Sequence, residues 1–390
     1  MLAAALAWFV LATPQQPRFV LAPGSPVVVN LEVGRPELLD FDRDSDLDVV
    51  LAGGGDDHNG HAGFVLVLCN DGTGRLAAEA IRHPIPASAR KLAVGDLDGD
   101  GYQDIVVADH DSYDVIALHN DGGKGLVPFA GSPFQSLRGS RPHTHDVVLA
   151  DLDGDTRLDA LTSNVADCAI AVLRGDGKGG FTEAAGSPFV TPWRHPYDAL
   201  ALGDFDRDGH TDVASPMLRD ACIGWLPGDG KGALRLHPSR SVRVAERPGY
   251  LVAGDLDRDS DLDLVASHDD SGVIDILTND GKGGFAVRSF DVGSARWGLA
   301  LGDLDGDGDL DLAAGAQAGN VVVLLRGDGK GGFAELQRLE AGKAASYVVI
   351  GDLDGDLRLD VVVTCCDRGE TWVYVQPQTT IAHPRTSPRH

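Results

Sequence analysis

The sequence predicts an all-β ring: a seven-bladed β-propeller of four-stranded antiparallel blades, closed by an N-terminal strand that completes the last blade. Three observations predict it. A nine-residue run, Asp-x-Asp-x-Asp-x-x-x-Asp, occurs seven times, opening at Asp40, Asp96, Asp151, Asp204, Asp255, Asp303 and Asp352. The starts lie 56, 55, 53, 51, 48 and 49 residues apart, and a fixed period of about 50 residues belongs to propeller or solenoid arrays. Between the runs stand short β-branched and apolar segments separated by Gly- and Asp-rich turns, the pattern of one blade.

The third unit shows the elements in order. His145 to Ala150 reads as a first strand, Asp151 to Asp159 as the acidic loop, and Ala160 to Ser163 as a second strand. After the loop Asn164 to Cys168 come a third strand, Ala169 to Arg174, a tight turn from Gly175 to Gly180, and a fourth strand from Phe181. Gly and Asp suit such turns because they accept positive φ at little cost. The second residue of each run is Phe41, Leu97, Leu152, Phe205, Leu256, Leu304 or Leu353, an expected anchor into the blade. The residue before each run is Gly95, Ala150, Gly203, Gly254, Gly302 or Gly351, with Leu39 the exception. A small residue there fits an inner strand where blades converge.

The turn recurs after six of the seven runs, from Asn70-Asp71-Gly72 to Gly327-Asp328-Gly329, but the seventh unit ends near Val375 without it. The missing strand is found at the start of the chain. Phe19 precedes Gly24-Ser25-Pro26 at the spacing by which Phe181 precedes Gly186-Ser187-Pro188 and Leu126 precedes Gly131-Ser132-Pro133. A ring closed by its two ends removes the exposed sheet edges that an open array would leave.

Charge is lopsided, with 59 acidic against 33 basic residues and a formal net charge of −26. The seven runs hold 31 of the aspartates, and carboxylates so crowded repel one another unless cations sit among them. Seven divalent ions would bring −26 to about −12. The acidity speaks against nucleic acid as a partner, since phosphate binders carry basic stripes. Carboxylates at positions 1, 3, 5 and 9 of each run suit Ca²⁺, which takes six to eight hard oxygens, better than the tighter octahedron of Mg²⁺. The expected ligands are Asp40, Asp42, Asp44 and Asp48; Asp96, Asp98, Asp100 and Asp104; Asp151, Asp153, Asp155 and Asp159; Asp204, Asp206, Asp208 and Asp212; Asp255, Asp257, Asp259 and Asp263; Asp303, Asp305, Asp307 and Asp311; and Asp352, Asp354, Asp356 and Asp360. Up to seven ions are expected, in a structural role, because the loops are too alike for one to be a specialised centre. The sixth position calls for positive φ; Gly101, Gly209 and Gly308 fit it, Ser45, Thr156 and Ser260 less well, and Leu357 makes the seventh site the weakest.

These repeats resemble the FG-GAP or VCBS type of propeller repeat, the family that includes the head domain of integrin α chains. The matching residues are acidic loops such as Asp303-Leu304-Asp305-Gly306-Asp307-Gly308-Asp309-Leu310-Asp311 and the Gly-Asp-Gly-Lys-Gly-Gly-Phe turns, over residues 18–376. The resemblance implies a seven-bladed ring with calcium loops on one face and ligand binding on the other. The Phe-Gly and Gly-Ala-Pro signatures of integrins are largely absent, so integrin partners do not carry over.

The face opposite the acidic loops is expected to gather Arg35, Arg90, Lys91, His143, His145, His195, Tyr197, Tyr250, Arg296, Trp297 and Tyr347, from the loops just before each first strand. Loops between second and third strands add Asp56, Asp57, His58, His61, His110, Asp111, Arg219, Asp220, His268, Asp269, Asp270 and Cys365-Cys366-Asp367. These vary from unit to unit, as a binding surface on a repetitive scaffold must. Two readings follow. In one, a glycan or protein ligand is held by Arg35, Lys91, His145, His195, Tyr250, Trp297 and Tyr347, with the aromatic rings stacking. In the other, the face is a polysaccharide lyase-like or other carbohydrate-active site, where His143, His145 or His195 with Tyr197 or Tyr250 moves a proton and Arg35 or Arg296 neutralises a carboxylate; this is an analogy of fold. A transition metal at His143-x-His145 has too few ligands to stand by itself.

The apolar stretch over 1–13, with Val10-Leu11-Ala12 near its end, reads as a secretory signal too short to span a bilayer, and 377–390 as a disordered tail. The expected molecule is secreted, periplasmic or at the cell surface, and monomeric. Five cysteines are few for a disulfide scaffold; Cys69 reads as core, and adjacent Cys365 and Cys366 would form a vicinal disulfide in an oxidising compartment.

Overall fold

The computed structural model describes residues 18–54, 63–86, 88–139, 142–236, 240–269, 271–293 and 298–377. The expected signal over 1–13, the tail beyond Pro377, Asp56, Asp57, His58, His61, Asp270, Arg296, Trp297 and the side chain of Arg90 lie outside the described residues.

Seven antiparallel sheets follow one another along the chain. The first to third strands of the blades are Val33–Leu39, Asp48–Gly53 and Gly63–Leu68 in blade 1; Ala89–Gly95, Asp104–Asp109 and Asp114–Asn120 in blade 2; and Thr144–Ala150, Asp159–Asn164 and Ala169–Gly175 in blade 3. They continue as Ala201–Gly203, Asp212–Met217 and Cys222–Leu226; Pro248–Gly254, Asp263–His268 and Val273–Asn279; Leu299–Gly302, Asp311–Ala316 and Val321–Gly327; and, in blade 7, Ala345–Gly351, Asp360–Cys365 and Glu370–Val375. Among the described residues helix is confined to one 3₁₀ turn, Gln317–Gly319, and no helix is long and apolar enough to cross a membrane.

The last blade is completed from the other end of the chain. Val20–Leu21 and Val27–Val28 both pair antiparallel with Glu370–Val375, in the register Val20 to Val375 and Val27 to Thr371. A Gly-Ser-Pro segment breaks this outer strand in two, as it does in blades 2 and 3. In each the serine hydroxyl takes over the lost ladder position, accepting the N–H of Val373, Ala117 or Val172 at 2.8–3.0 Å.

Blades stack through both faces of their second strands. Val50 and Ala52 of blade 1 join a core with Ile105 and Val107 of blade 2, while Val49 and Leu51 join one with Val362 and Val373 of blade 7. Alternating side chains thus serve opposite neighbours, which explains why these strands read as continuous apolar runs. The anchors behave as expected: Phe41, Phe205 and Leu304 have no exposure, and the other four are buried. So do the small residues before the loops. A Cβ on Gly95, Gly203 or Gly351 would stand 2.4–2.5 Å from a leucine of the next blade, Leu158, Leu262 or Leu38.

Five inner strands slip register near the end away from the acidic loops, at Val33/Pro36, Ala89/Lys91, Thr144/Asp146, Pro248/Tyr250 and Ala345/Tyr347. A bulge re-aims side chains, and here it turns a set of polar residues toward the ring axis.

Candidate functional site

Each acidic loop is shaped by the same hydrogen bonds. The first carboxylate accepts the N–H of the sixth residue at 2.8–3.1 Å. The fifth-position carboxylate accepts the N–H of the seventh residue at 2.8–3.0 Å. The ninth accepts the N–H of the second residue with one oxygen, at 2.8–3.2 Å. Its other oxygen accepts an N–H just after the third strand's end or at it, at 2.7–3.1 Å. The ninth aspartate is therefore a clamp from loop to sheet as well as a candidate ligand. Buried as it is, it resists ionisation: burial, only partly offset by those N–H bonds, moves Asp104 up to about 6 and Asp212 up to about 7.

The sixth residue is left-handed in all seven loops, from φ 68° at Leu357 to 86° at Gly308. So is the fourth, a requirement that the sequence reading missed; Arg43, Arg207 and Arg258 meet it at φ 58–64° where the other loops have glycine. Those arginines reach the next blade. Arg43 lies over the Tyr102 ring at 4.2 Å, Arg258 pairs with Asp309 at 2.6 Å, and Arg207 pairs with Asp261.

A cation fits these loops. In the first three, positions 1, 3 and 5 offer oxygens within 4.8 Å of one another. Buried oxygens of Asp40, Asp206, Asp255, Asp257 and Asp354 have no hydrogen-bond donor among the described residues, which is costly unless a cation compensates. Some loops carry an internal cation. Arg174 pairs with Asp153, Arg240 with Asp206 at 3.0 Å, Arg326 with Asp305 at 3.0 Å, and Arg358 with Asp356. Among the described residues the candidate ligands of loops 1 and 5 have no such partner.

On the opposite face, five residues before each loop, stand Arg35, Lys91, Asp146, Ala199, Tyr250, Gly298 and Tyr347, one per blade. The large ones converge on the axis. Lys91 Nζ lies 5.1 Å from the Tyr250 ring and 5.8 Å from that of Tyr347, and the Arg35 guanidinium lies 5.8 Å from Tyr250 across the ring. A Cβ at Gly298 would stand 2.7 Å from the Tyr347 Cα, so the close approach of the next inner strand requires glycine there. Above this layer opens a cavity of about 240 Å³, lined by Lys91, His145, Tyr197, Asp198, Tyr347, Cys366 and Asp367 among others. Lys91 is 1% exposed at its side chain; Nζ stands 3.7 Å from Asp198 Oδ1 and has no hydrogen-bond partner.

The expected site residues are distributed unevenly. Lys91, His145, Tyr197 and Tyr347 meet in the mouth. His195 and Arg219 line a neighbouring depression of about 210 Å³ with Arg194, and Arg194 Nε donates to Asp220 at 2.9 Å. Arg35 lies lower in the shaft, paired with Glu37 at 2.9 Å. Tyr250 is 1% exposed, so the stacking role expected of it gives way to that of a floor under Arg35 and Lys91. His268 is also removed from the face. It is fully buried at the end of its strand, 3.1 Å from Asp275. No disulfide joins Cys365 and Cys366; burial, then Glu370, pushes the Cys365 thiol up to about 12. The sequence reading missed Asp146, Asp198 and Glu37, although Asp146 shares the register position of Lys91 and Tyr250.

A row of rings crosses the rim over blades 2 to 4. Centroids are 4.5 Å apart for His110 and His143, 4.6 Å for His143 and His145, 4.8 Å for His145 and Tyr197, and 6.2 Å for Tyr197 and His195. Burial, with Arg219 and His145 adding to it, lowers His195 to about 4.

Comparison with known proteins places this architecture. The family model described as FG-GAP-like repeat matches residues 40–107, 96–162, 255–314 and 303–363, more than half of the chain. No curated protein matches it. Among solved structures the chain is similar to BBS1N, in a crystal structure with ARL6DN soaked with lead, at 11% identity and TM-score 0.65, covering 93% of this chain and 98% of that one. It is similar to an Agrocybe aegerita lectin whose structure concerns recognition of non-reducing terminal N-acetylglucosamine, at 18% identity and TM-score 0.56, covering 87% of each chain. It is also similar to a protein from Lactobacillus plantarum, at 13% identity and TM-score 0.58, covering 85% of this chain and 92% of that one. At such identities these likenesses concern the fold.

Proposed function

The chain belongs to the FG-GAP-like repeat family, and from that premise we propose that it is a calcium-stabilised recognition module that takes a glycan or protein ligand in the mouth opposite its acidic loops. The observation that carries this reading is Lys91: a buried ammonium without a hydrogen-bond partner, 3.7 Å from the Asp198 carboxylate, on a side chain that lines the cavity together with Tyr197 and Tyr347. Rings supply flat apolar surface, and the charged groups fix orientation through hydrogen bonds. The lectin, which recognises non-reducing terminal N-acetylglucosamine, and BBS1N, crystallised in complex with ARL6DN, share this fold and support a reading with either kind of ligand. In this reading the molecule works where calcium is millimolar, secreted, periplasmic or at the cell surface.

Screening the calcium-loaded protein on an immobilised glycan array and against extracellular protein panels tests it. Lys91→Met and Tyr197→Ala should each weaken a captured ligand at least about tenfold, the range in which removal of a central interface group is felt, measured well below the melting temperature of each variant so that loss of fold is not read as loss of binding. A ligand that binds both variants as well as the parent would place recognition elsewhere.

One observation favours a second reading, a lyase-like enzyme. His145 Nδ1 is 2.6 Å from Asp198 Oδ1 while Nε2 has no partner, the arrangement of an oriented general base. Ultraviolet absorbance of unsaturated uronates on incubation with acidic polysaccharides would support it, and silence over a broad panel would remove it.

A further inference from the structure

We propose that His110, His143 and His145 form a binding site for a transition-metal ion of the Zn²⁺ class, separate from the acidic loops and on the opposite face of the ring. The three residues come from two blades. His110 stands at the end of the second strand of blade 2, and His143 and His145 at the bulged start of the inner strand of blade 3. Each offers a ring nitrogen within 4.8 Å of the others. A tetrahedral site with metal–nitrogen bonds near 2.0–2.1 Å needs separations of about 3.3 Å, so modest side-chain rotation would close it.

The orientation of the rings is the independent observation. His145 Nδ1 is held by Asp198 at 2.6 Å, and its Nε2 has no partner although the side chain is only 9% exposed. His110 Nδ1 is held by Asp111 at 2.9 Å on a side chain equally buried, which leaves Nε2 as its ligand atom. A carboxylate on one nitrogen, with the other free, is how proteins fix the tautomer and direction of metal-binding imidazoles. His143 lies between them, its ring centroid 4.5 Å from that of His110 and 4.6 Å from that of His145. Neutral imidazole is the form that ligates, and it selects Zn²⁺, Cu²⁺ or Ni²⁺ over the hard cations suited to the acidic loops. Three imidazoles leave a fourth position open to water or to an oxygen of whatever enters the mouth. Occupancy would also take up the His145 Nε2 that the lyase-like reading requires, while the recognition reading stands or falls independently.

The test is a Zn²⁺ titration by calorimetry on tag-free full-length protein. It is first stripped with chelator and then held in excess Ca²⁺, so that the acidic loops are saturated. One equivalent should bind, and His143→Ala and His110→Ala should each weaken it at least tenfold. Asp198→Asn should weaken it 10- to 100-fold, as loss of an outer-shell partner does. Co²⁺ in place of Zn²⁺ should give the intense visible bands of tetrahedral coordination, absent from His143→Ala. Should a variant fail to fold, His143→Gln provides the same comparison, and melting in Ca²⁺ alone identifies such failures. Titrations indistinguishable between the parent and the histidine variants, or no uptake by the parent, would overturn the proposal.

Discussion

At the residue scale, one side chain per loop sets the quality of the turn. Leu357 holds φ at 68° with 93% of its surface exposed, so it gains nothing from packing to offset its conformation. A left-handed L-residue costs about 1–2 kcal/mol, and glycine recovers this less an entropy loss of about 0.5–1 kcal/mol. Leu357→Gly should therefore stabilise the protein by about 0.5–1 kcal/mol, read as a higher urea midpoint; a lower midpoint would contradict this account of the loop. His195 makes a pH prediction. Its folded pKa lies near 4, below the ordinary value of about 6.5, so the unfolded chain takes up the proton first. Its stabilising contribution is present above pH 6.5 and fades as pH falls toward 4. His195→Gln should flatten that acid limb in denaturation curves recorded across this range, and an unaltered slope would show that the imidazole takes up its proton as readily in the folded ring as in the unfolded chain.

At the scale of the element, the turn after each third strand latches one blade to the loop before it. Asn120 Nδ2 donates to the Phe41 carbonyl at 2.8 Å, Asn279 Nδ2 to Phe205 at 2.9 Å, and Asn70 Nδ2 to Leu353 at 2.7 Å. In blade 7, which lacks the turn, Gln376 Nε2 reaches the Leu304 carbonyl instead, at 2.9 Å. Asn120→Ala would leave buried carbonyls without a donor and should destabilise by about 1–3 kcal/mol in chemical denaturation; no change would mean that water replaces the amide. These latches mark where sequence reasoning stopped. The strands of the third unit were legible to within one residue or so, because apolar alternation and the Gly-Asp-Gly turn are local. The Asn120 contact joins residues 79 apart, and nothing in the turn itself distinguishes a latch from a hairpin asparagine. Burial of Tyr250 and His268 was hidden for a similar reason. Spacing from the acidic run placed both at the rim, whereas the bulge at Pro248/Tyr250 turns the tyrosine to the axis and the sheet interior receives the histidine. The mouth was read in outline through Lys91, His145, Tyr197 and Tyr347, and its carboxylates were not.

At the scale of the whole molecule, charge governs. If each loop binds Ca²⁺ with the ~10⁻⁴–10⁻³ M affinity of extracellular modules, ~1 mM calcium stabilises by about 0.4–1.4 kcal/mol per site. Seven such sites amount to roughly 3–10 kcal/mol, as much as the net stability of a typical domain. Chelation should therefore lower the melting temperature substantially, and a melt indifferent to chelator would rule out calcium as a support of the ring. Filling should be ordered, with loops 1 and 5 ahead of those in which Arg174, Arg240, Arg326 or Arg358 already occupies a carboxylate. The seam in blade 7 bears on how the protein is displayed. Arg18 touches Asp305 in the sixth acidic loop, and Arg358 of the seventh reaches the Pro377 carbonyl. Residues 18 and 377 thus both stand on the acidic-loop side of the ring, away from the mouth. A tether, a neighbouring module or a surface joined at these two positions would hold the ring from behind and point its cavity outward.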